Sequence, residues 1–249
     1  MVGVAPQAGG RERPRRAPSP RRRGDRAAAS DWNESERAEP MKVERLFTEA
    51  DAERIARAVR AAEQKTSGEI VPVVVDASDH YTHVNFIGAT IGQILFVGVG
   101  YLFVPECALW QLFLFQAVGY VTGYLACRYV QAIKRLLISD ATSEACVYER
   151  ALRAFYQHEL YRTRDRTGIL VFVSLLERRV QILADSGINA RVAPGTWDGV
   201  VGIIVESIRK GDLCQGLCDA VGRCGEILAQ EFPRKADDTD ELDNRLRLD

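Results

Sequence analysis

Apolar residues follow three different rhythms along this chain. Ala52, Ile55, Val59 and Ala62 recur at helical spacing. Thr48-Glu49-Ala50-Asp51 precedes them as a capping-box start, and Thr66-Ser67-Gly68 follows as a stop. A helix is therefore predicted between Thr48 and Gly68. Glu69–Val75 alternates differently: Val71, Val73 and Val75 face one way, and Ile70, Pro72 and Val74 the other. Both faces are apolar, the mark of a strand covered by helices on two sides. Pro72 has no N–H to give to a ladder, which predicts an edge or a bulge there.

The third rhythm is unbroken apolarity. Residues 84–104 and 108–127 carry almost no charge and are separated only by Pro105, Glu106 and Cys107. A helix rising ~1.5 Å per residue needs about 20 residues to cross ~30 Å of hydrocarbon. The two runs predict a transmembrane helical hairpin over residues 84–127, with both flanks on one side of a lipid bilayer. Gly88-x-x-x-Gly92 and Gly119-x-x-x-Gly123 fall at the same depth of an antiparallel pair. Small residues there let two backbones approach, so these four glycines are candidates for hairpin packing.

Beyond the hairpin, residues 139–161 read as a helix with Val147, Ala151, Ala154 and Phe155 as its stripe. Residues 169–175 and 180–184 read as strands joined by a tight turn, a β-hairpin. A helix capped by Thr196 buries Val200, Val201, Ile204 and Val205. A last helix over 213–232 buries Leu217, Val221 and Leu228, and Pro233 stops it. One strand before the hairpin is not a domain by itself and must join the later pair. The prediction is an α/β fold: one compact αβ sandwich built from residues 41–80 and 139–233, interrupted by a two-helix transmembrane hairpin. Residues 234–249 are an acidic tail, read as mobile.

Charge refines this picture. The net charge is only −1, yet the first 30 residues hold eight arginines against two acids. Residues 1–40 have little to bury and read as a disordered basic tail, with Met41 an alternative start. No basic surface on the folded part calls for nucleic acid. Arg128, Lys134 and Arg135 follow the second apolar run, which places both flanks and both termini in the cytoplasm of a two-pass inner-membrane protein. Tyr81 and Tyr129 are expected at the inner interface, and Tyr101 and Trp110 at the outer one. Six cysteines without a secretory leader fit a reducing compartment.

The usual catalytic templates are absent: no phosphate loop, no Gly-x-Ser-x-Gly, no His-Glu-x-x-His. His80-x-x-His83 stands at the mouth of the first apolar run and reads as interfacial polarity. Cys214, Cys218 and Cys224 read as packing. Acids at strand ends are the remaining candidates. Asp76 and Asp79 follow the first strand, and Asp185 follows the third. Ligands of open α/β sheets gather beyond carboxyl ends of strands. Three carboxylates converging there would hold Ca²⁺ or Mg²⁺. The competing reading makes them turn formers.

Thr66-Ser67-Gly68-Glu69-Ile70-Val71, the run Arg166-Thr167-Gly168-Ile169-Leu170-Val171-Phe172-Val173-Ser174-Leu175, and Glu177-Arg178-Arg179-Val180 with Ala184-Asp185 resemble the TPM-domain family. Trp197, Phe232-Pro233 and the acidic tail are similar to its bacterial membrane-anchored branch. The resemblance implies a compact αβ sandwich. It also implies weak acid-phosphatase activity, divalent-metal binding with Asp76, Asp79 and Asp185 as metal ligands, or the upkeep of membrane complexes. Where many relatives carry Gly-Tyr-Gly-Leu-Glu, this chain has Asp185-Ser186-Gly187-Ile188-Asn189, without the aromatic and the acid. The leading expectation is a membrane-tethered cytoplasmic domain that binds or maintains a membrane-associated complex. The alternative is the metal-dependent phosphatase. The sequence sets no oligomeric state.

Overall fold

Helices cover both faces of a four-stranded mixed sheet in this computed structural model, which describes residues 43–103, 108–235 and 241–248. The basic tail over residues 1–40, the turn at residues 105–107 and residues 236–240 of the acidic tail lie outside the described residues. Chain order is α1 (Val43–Leu46), α2 (Glu49–Glu63), β1 (Glu69–Val75), α3 (Thr82–Phe103), α4 (Leu109–Tyr129), α5 (Gln131–Leu137) and α6 (Asp140–Gln157). A 3₁₀ turn at Leu160–Arg162 leads into β2 (Gly168–Ser174) and β3 (Arg179–Ala184). Then come α7 (Ser186–Asn189), α8 (Asp198–Arg209), α9 (Leu213–Glu231) and β4 (Arg247–Leu248).

The strand order is β3-β2-β1-β4. β1 runs parallel to β2 with Glu69 opposite Gly168 and Val75 opposite Ser174, and β3 returns antiparallel with Ala184 opposite Ile169. Both faces of β1 and β2 are buried, as their unbroken apolar runs require. One face takes Ile70, Val74, Ile169, Val171 and Val173 and is covered by α2, α8 and α9. The other takes Val71, Val73, Leu170 and Phe172 and is covered by α6 through Val147, Ala151, Ala154 and Phe155. Thr48 caps α2 in a full capping box with Asp51.

Pro72 sits in a central strand, and the register shows how that is possible. Glu69 donates to Thr167 O, and Val75 O accepts from Leu175 N, so odd-numbered residues of β1 address β2. Pro72 therefore points its missing N–H toward β4, whose two residues begin one position later, beside Val73. On that same side Ile70 N–H donates to Glu63 Oε1 at 2.9 Å. The strand is an edge at Pro72 without needing a bulge.

The C-terminal segment corrects an expectation. Rather than a mobile tail, its described residues dock. Arg247–Leu248 pairs parallel with β1, Glu241 N–H donates to Glu69 Oε1, and Glu241 Oε2 accepts from Arg164 N–H. Two carboxylates thus tie this segment to β1 and to the loop before β2.

Helices α3 and α4 pack antiparallel outside the sheet layers. A Cβ built on Gly92 would stand 2.4 Å from Gly119 O and 2.8 Å from Gly123 Cα, and one on Gly123 would stand 2.3 Å from Gly88 O. One on Gly88 would collide with Cys127 Sγ. At Gly92 and Gly123 no side chain fits, so backbone meets backbone, while Gly88 makes room for the Cys127 side chain. Among the described residues, α3 alone is long and apolar enough to cross a membrane by length and composition. Two glutamines, a threonine and three tyrosines make α4 less apolar than its partner.

Candidate functional site

β1 ends where the helix pair begins, and six residues, 76–81, make the connection. They run across the β2–β3 turn. Val75 O and Asp76 O accept from Leu175 N–H and Leu176 N–H, at 3.0 and 2.9 Å. Asp76 accepts from Val43 N–H at 2.6 Å, which fastens α1 to the same end of the sheet.

Glu177 is the centre of this junction. Its carboxylate is buried, and Oε1 accepts from Ser78 N–H at 2.8 Å and from the Tyr81 hydroxyl at 2.7 Å. Oε2 accepts from Ser174 Oγ, and Ser78 Oγ donates to Ser174 Oγ at 3.0 Å. The adjacent Arg178 has φ of 52°, which closes the turn, while Arg179 donates to Ser143 Oγ and the Asp140 carbonyl at the start of α6. The Glu-Arg-Arg run therefore stitches three elements together.

Tyr81 is fully buried, against Val84 and Leu176, with Leu137, Ile138 and Cys146 packed around them. A side chain so enclosed faces protein rather than lipid. Its φ of 47° is left-handed, a conformation that costs a non-glycine residue energy and persists where surroundings enforce it. Burial first, and the Glu177 carboxylate second, push its hydroxyl pKa far up, so it stays a donor. Lys134 donates to His80 O and stands 5.9 Å from the Tyr81 ring centroid. Burial lowers the Lys134 pKa, while Asp79 and Glu177 pull it back up.

The three strand-end acids are not brought together. β3 is antiparallel to β2, so Asp185 leaves the sheet beside Gly168, whose carbonyl accepts its N–H. Asp76 leaves at the other end, beside Leu176. Six residue steps of strand at ~3.3 Å each separate the two ends, about 20 Å. Asp185 Oδ1 instead caps α7 through Ser186 N–H at 2.6 Å, and its Oδ2 lies 3.8 Å from Arg166. Asp79 accepts from His80 N–H. Among the described residues, no group of three His, Cys, Asp or Glu side chains could hold a metal ion. The Cys214 thiol is pushed up to about 12, chiefly by burial, and so is that of Cys224, which fits packing.

Tyr81, Ser174 and Lys134 took no part in the sequence-derived site, and Glu177 entered only through a family resemblance. One signal was available: an acid directly after Leu175-Leu176, in a turn too tight to carry it away from the core.

The family model of the TPM domain matches residues 130–227. That stretch of the chain is similar to a TPM domain. Its match opens at the residue after α4 and closes within α9, so β1, central to the sheet, lies before it, across the helix pair. The NMR structure of the BA42 protein from the psychrophilic bacterium Bizionia argentinensis is similar to this one, with a TM-score of 0.52 and 23% identity, covering 84% of this chain and 99% of that one. At that identity the likeness concerns the fold alone. Comparison with curated proteins returns no match. Thr66 and Thr167 fasten strand starts: Thr66 Oγ1 donates to Phe232 O, and Thr167 Oγ1 donates to Ser67 O. Gly168 leaves no room for a side chain, because a Cβ there would stand 2.5 Å from Leu160 O.

Proposed function

We propose that α3 and α4 span a lipid bilayer and hold the TPM domain at its cytoplasmic surface, where it binds or maintains a membrane-associated complex. The observation that carries the reading is the outward surface of the helix pair. Ile94, Leu95, Leu102, Phe103, Leu109, Trp110 and Phe113 are all exposed, several by more than 70%. Contiguous apolar patches of that extent on a protein mark contact with lipid or with another protein. Between Thr82 and Tyr129 the described residues carry no Asp, Glu or Lys, and a single arginine near the end. Arg128 in the last turn of α4, with Lys134 and Arg135 beyond it, gives the orientation by the positive-inside rule.

A partner on the domain itself is favoured by α6. Tyr148, Leu152 and Tyr156, spaced by four, form an exposed apolar stripe on the helix that covers one sheet face. The phosphatase alternative has no comparable support, because its carboxylates stand at opposite ends of the sheet.

Topology is tested by reporter fusions after Asp249. Activity of a cytoplasm-dependent reporter agrees with the reading, and activity only outside the cytoplasm contradicts it. A photo-crosslinker at Tyr148 tests the partner. The reading expects one discrete membrane-protein adduct, absent when the probe replaces exposed Glu226 on the far side of the domain.

A further inference from the structure

Where the apolar shafts of α3 and α4 end, a cleft of about 520 Å³ opens between the first turn of α3, the last turns of α4 and the start of α5. Its walls include His80, Asn85, Tyr124, Arg128, Tyr129 and Lys134. Two cationic side chains, Arg128 and Lys134, face the cavity, and no carboxylate is among its lining residues. Lys134 spends one N–H on the His80 carbonyl and has two more to give. Asn85 is only 7% exposed, and its Oδ1 has no hydrogen-bond partner. Buried polar atoms are nearly always paired, so an unpaired acceptor on a residue of the cleft wall calls for a donor from a ligand.

We propose that this cleft binds the head group of an anionic glycerophospholipid with a hydroxyl-bearing head, the chemistry of phosphatidylglycerol. The phosphate monoanion sits between the Arg128 guanidinium and the Lys134 ammonium, which suit it as charge-assisted donors. The head-group hydroxyl donates to Asn85 Oδ1. A choline head has no donor for Asn85. An ethanolamine head would set a third cation beside Arg128 and Lys134. The inference rests on α3 and α4 lying in a bilayer. At that depth the cleft meets head groups, and acyl chains continue along the exposed apolar shafts. Basic pockets between membrane helices on the cytoplasmic side suit anionic lipid heads.

The test titrates the full chain, in nonionic detergent, with dioctanoyl phosphatidylglycerol, dioctanoyl phosphatidylcholine and inorganic phosphate, followed by calorimetry. Saturable binding of one phosphatidylglycerol per chain is expected, with phosphatidylcholine and phosphate at least tenfold weaker. Arg128→Gln and Asn85→Ala should each weaken phosphatidylglycerol at least fivefold, with the helical circular dichroism unchanged. Equal affinity for the two lipids overturns the proposal, as does full affinity in both variants. Phosphate bound as tightly as the lipid also overturns it, assigning the cleft to a soluble anion. Alkaline extraction of membranes from the same cells separates the two ideas. A chain retained in the membrane without lipid preference sinks the cleft alone. A chain released from the membrane sinks the anchor on which the cleft depends.

Discussion

The Tyr81 hydroxyl donates to Glu177 Oε1 at 2.7 Å, joining the entrance of the helix pair to the turn of the β2–β3 hairpin across 96 positions of sequence. Ser78 and Ser174 complete the same carboxylate, so one buried acid fixes how the helix pair leaves the sheet.

Removing that acid should be costly. Glu177→Ala leaves the donors of Ser78, Tyr81 and Ser174 without their acceptor inside the protein, at about 1–3 kcal/mol for each group left unpaired, reduced by local relaxation. Tyr81→Phe loses one bond and should cost about 1 kcal/mol. Denaturant midpoints of the detergent-solubilised protein check both. A smaller loss in Glu177→Ala than in Tyr81→Phe would contradict the central place given to Glu177.

The glycine crossings separate sharply from glycines in open space. Gly92→Val drives a side chain into the Gly119 carbonyl and the Gly123 backbone and should destabilise the helix pair by about 1–3 kcal/mol or more. Gly98→Ala, with nothing within 4 Å, should leave thermal melting unchanged or slightly raised. Intrinsic tryptophan fluorescence against temperature reads the contrast. Equal melting of the two variants would refute backbone-to-backbone packing.

Asp76 and Asp185 should behave as strangers. A cation held by both would couple them, whereas groups far apart and without shared partners add to within about 0.5 kcal/mol. The double-mutant cycle of Asp76→Asn and Asp185→Asn, run with and without added Mg²⁺, is expected to be additive in both conditions. A coupling above 1 kcal/mol that needs Mg²⁺ would restore the shared metal site.

Cys224 predicts a pH dependence. Its folded pKa is pushed up to about 12 by burial, against about 8.5 for a free thiol. The folded state holds this proton more tightly, so the stability it contributes is complete below about pH 8.5. It is lost as pH rises through the folded value. Between those pH values the slope approaches 1.4 kcal/mol per unit, roughly. Cys224→Ala should therefore flatten the alkaline fall in unfolding free energy relative to the parent. Parallel profiles would contradict it.

Much of the fold was readable from local pattern. β1 has two apolar faces because helices cover both, and its bounds come out as read. α2 begins at a capping box that four consecutive residues spell out. The site was less legible, for two different reasons. Asp185 was misplaced although the information was present: a β-hairpin after β2 reverses β3, so its carboxyl end lies where β2 begins. Glu177 was opaque because its partners Ser78 and Tyr81 are 99 and 96 positions away, beyond any periodicity. β4 was missed because two residues beside an acidic stretch carry no strand pattern, and only the exposed side of β1 makes Arg247–Leu248 a strand.

Whether the helix pair lies in a bilayer decides the account, and alkaline extraction of membranes from cells producing the full chain tests it most directly. The account predicts that the chain stays with the membrane pellet at high pH and leaves it only with detergent. Release of the chain into the alkaline supernatant would contradict it, and would turn the exposed faces of α3 and α4 into a surface for another protein.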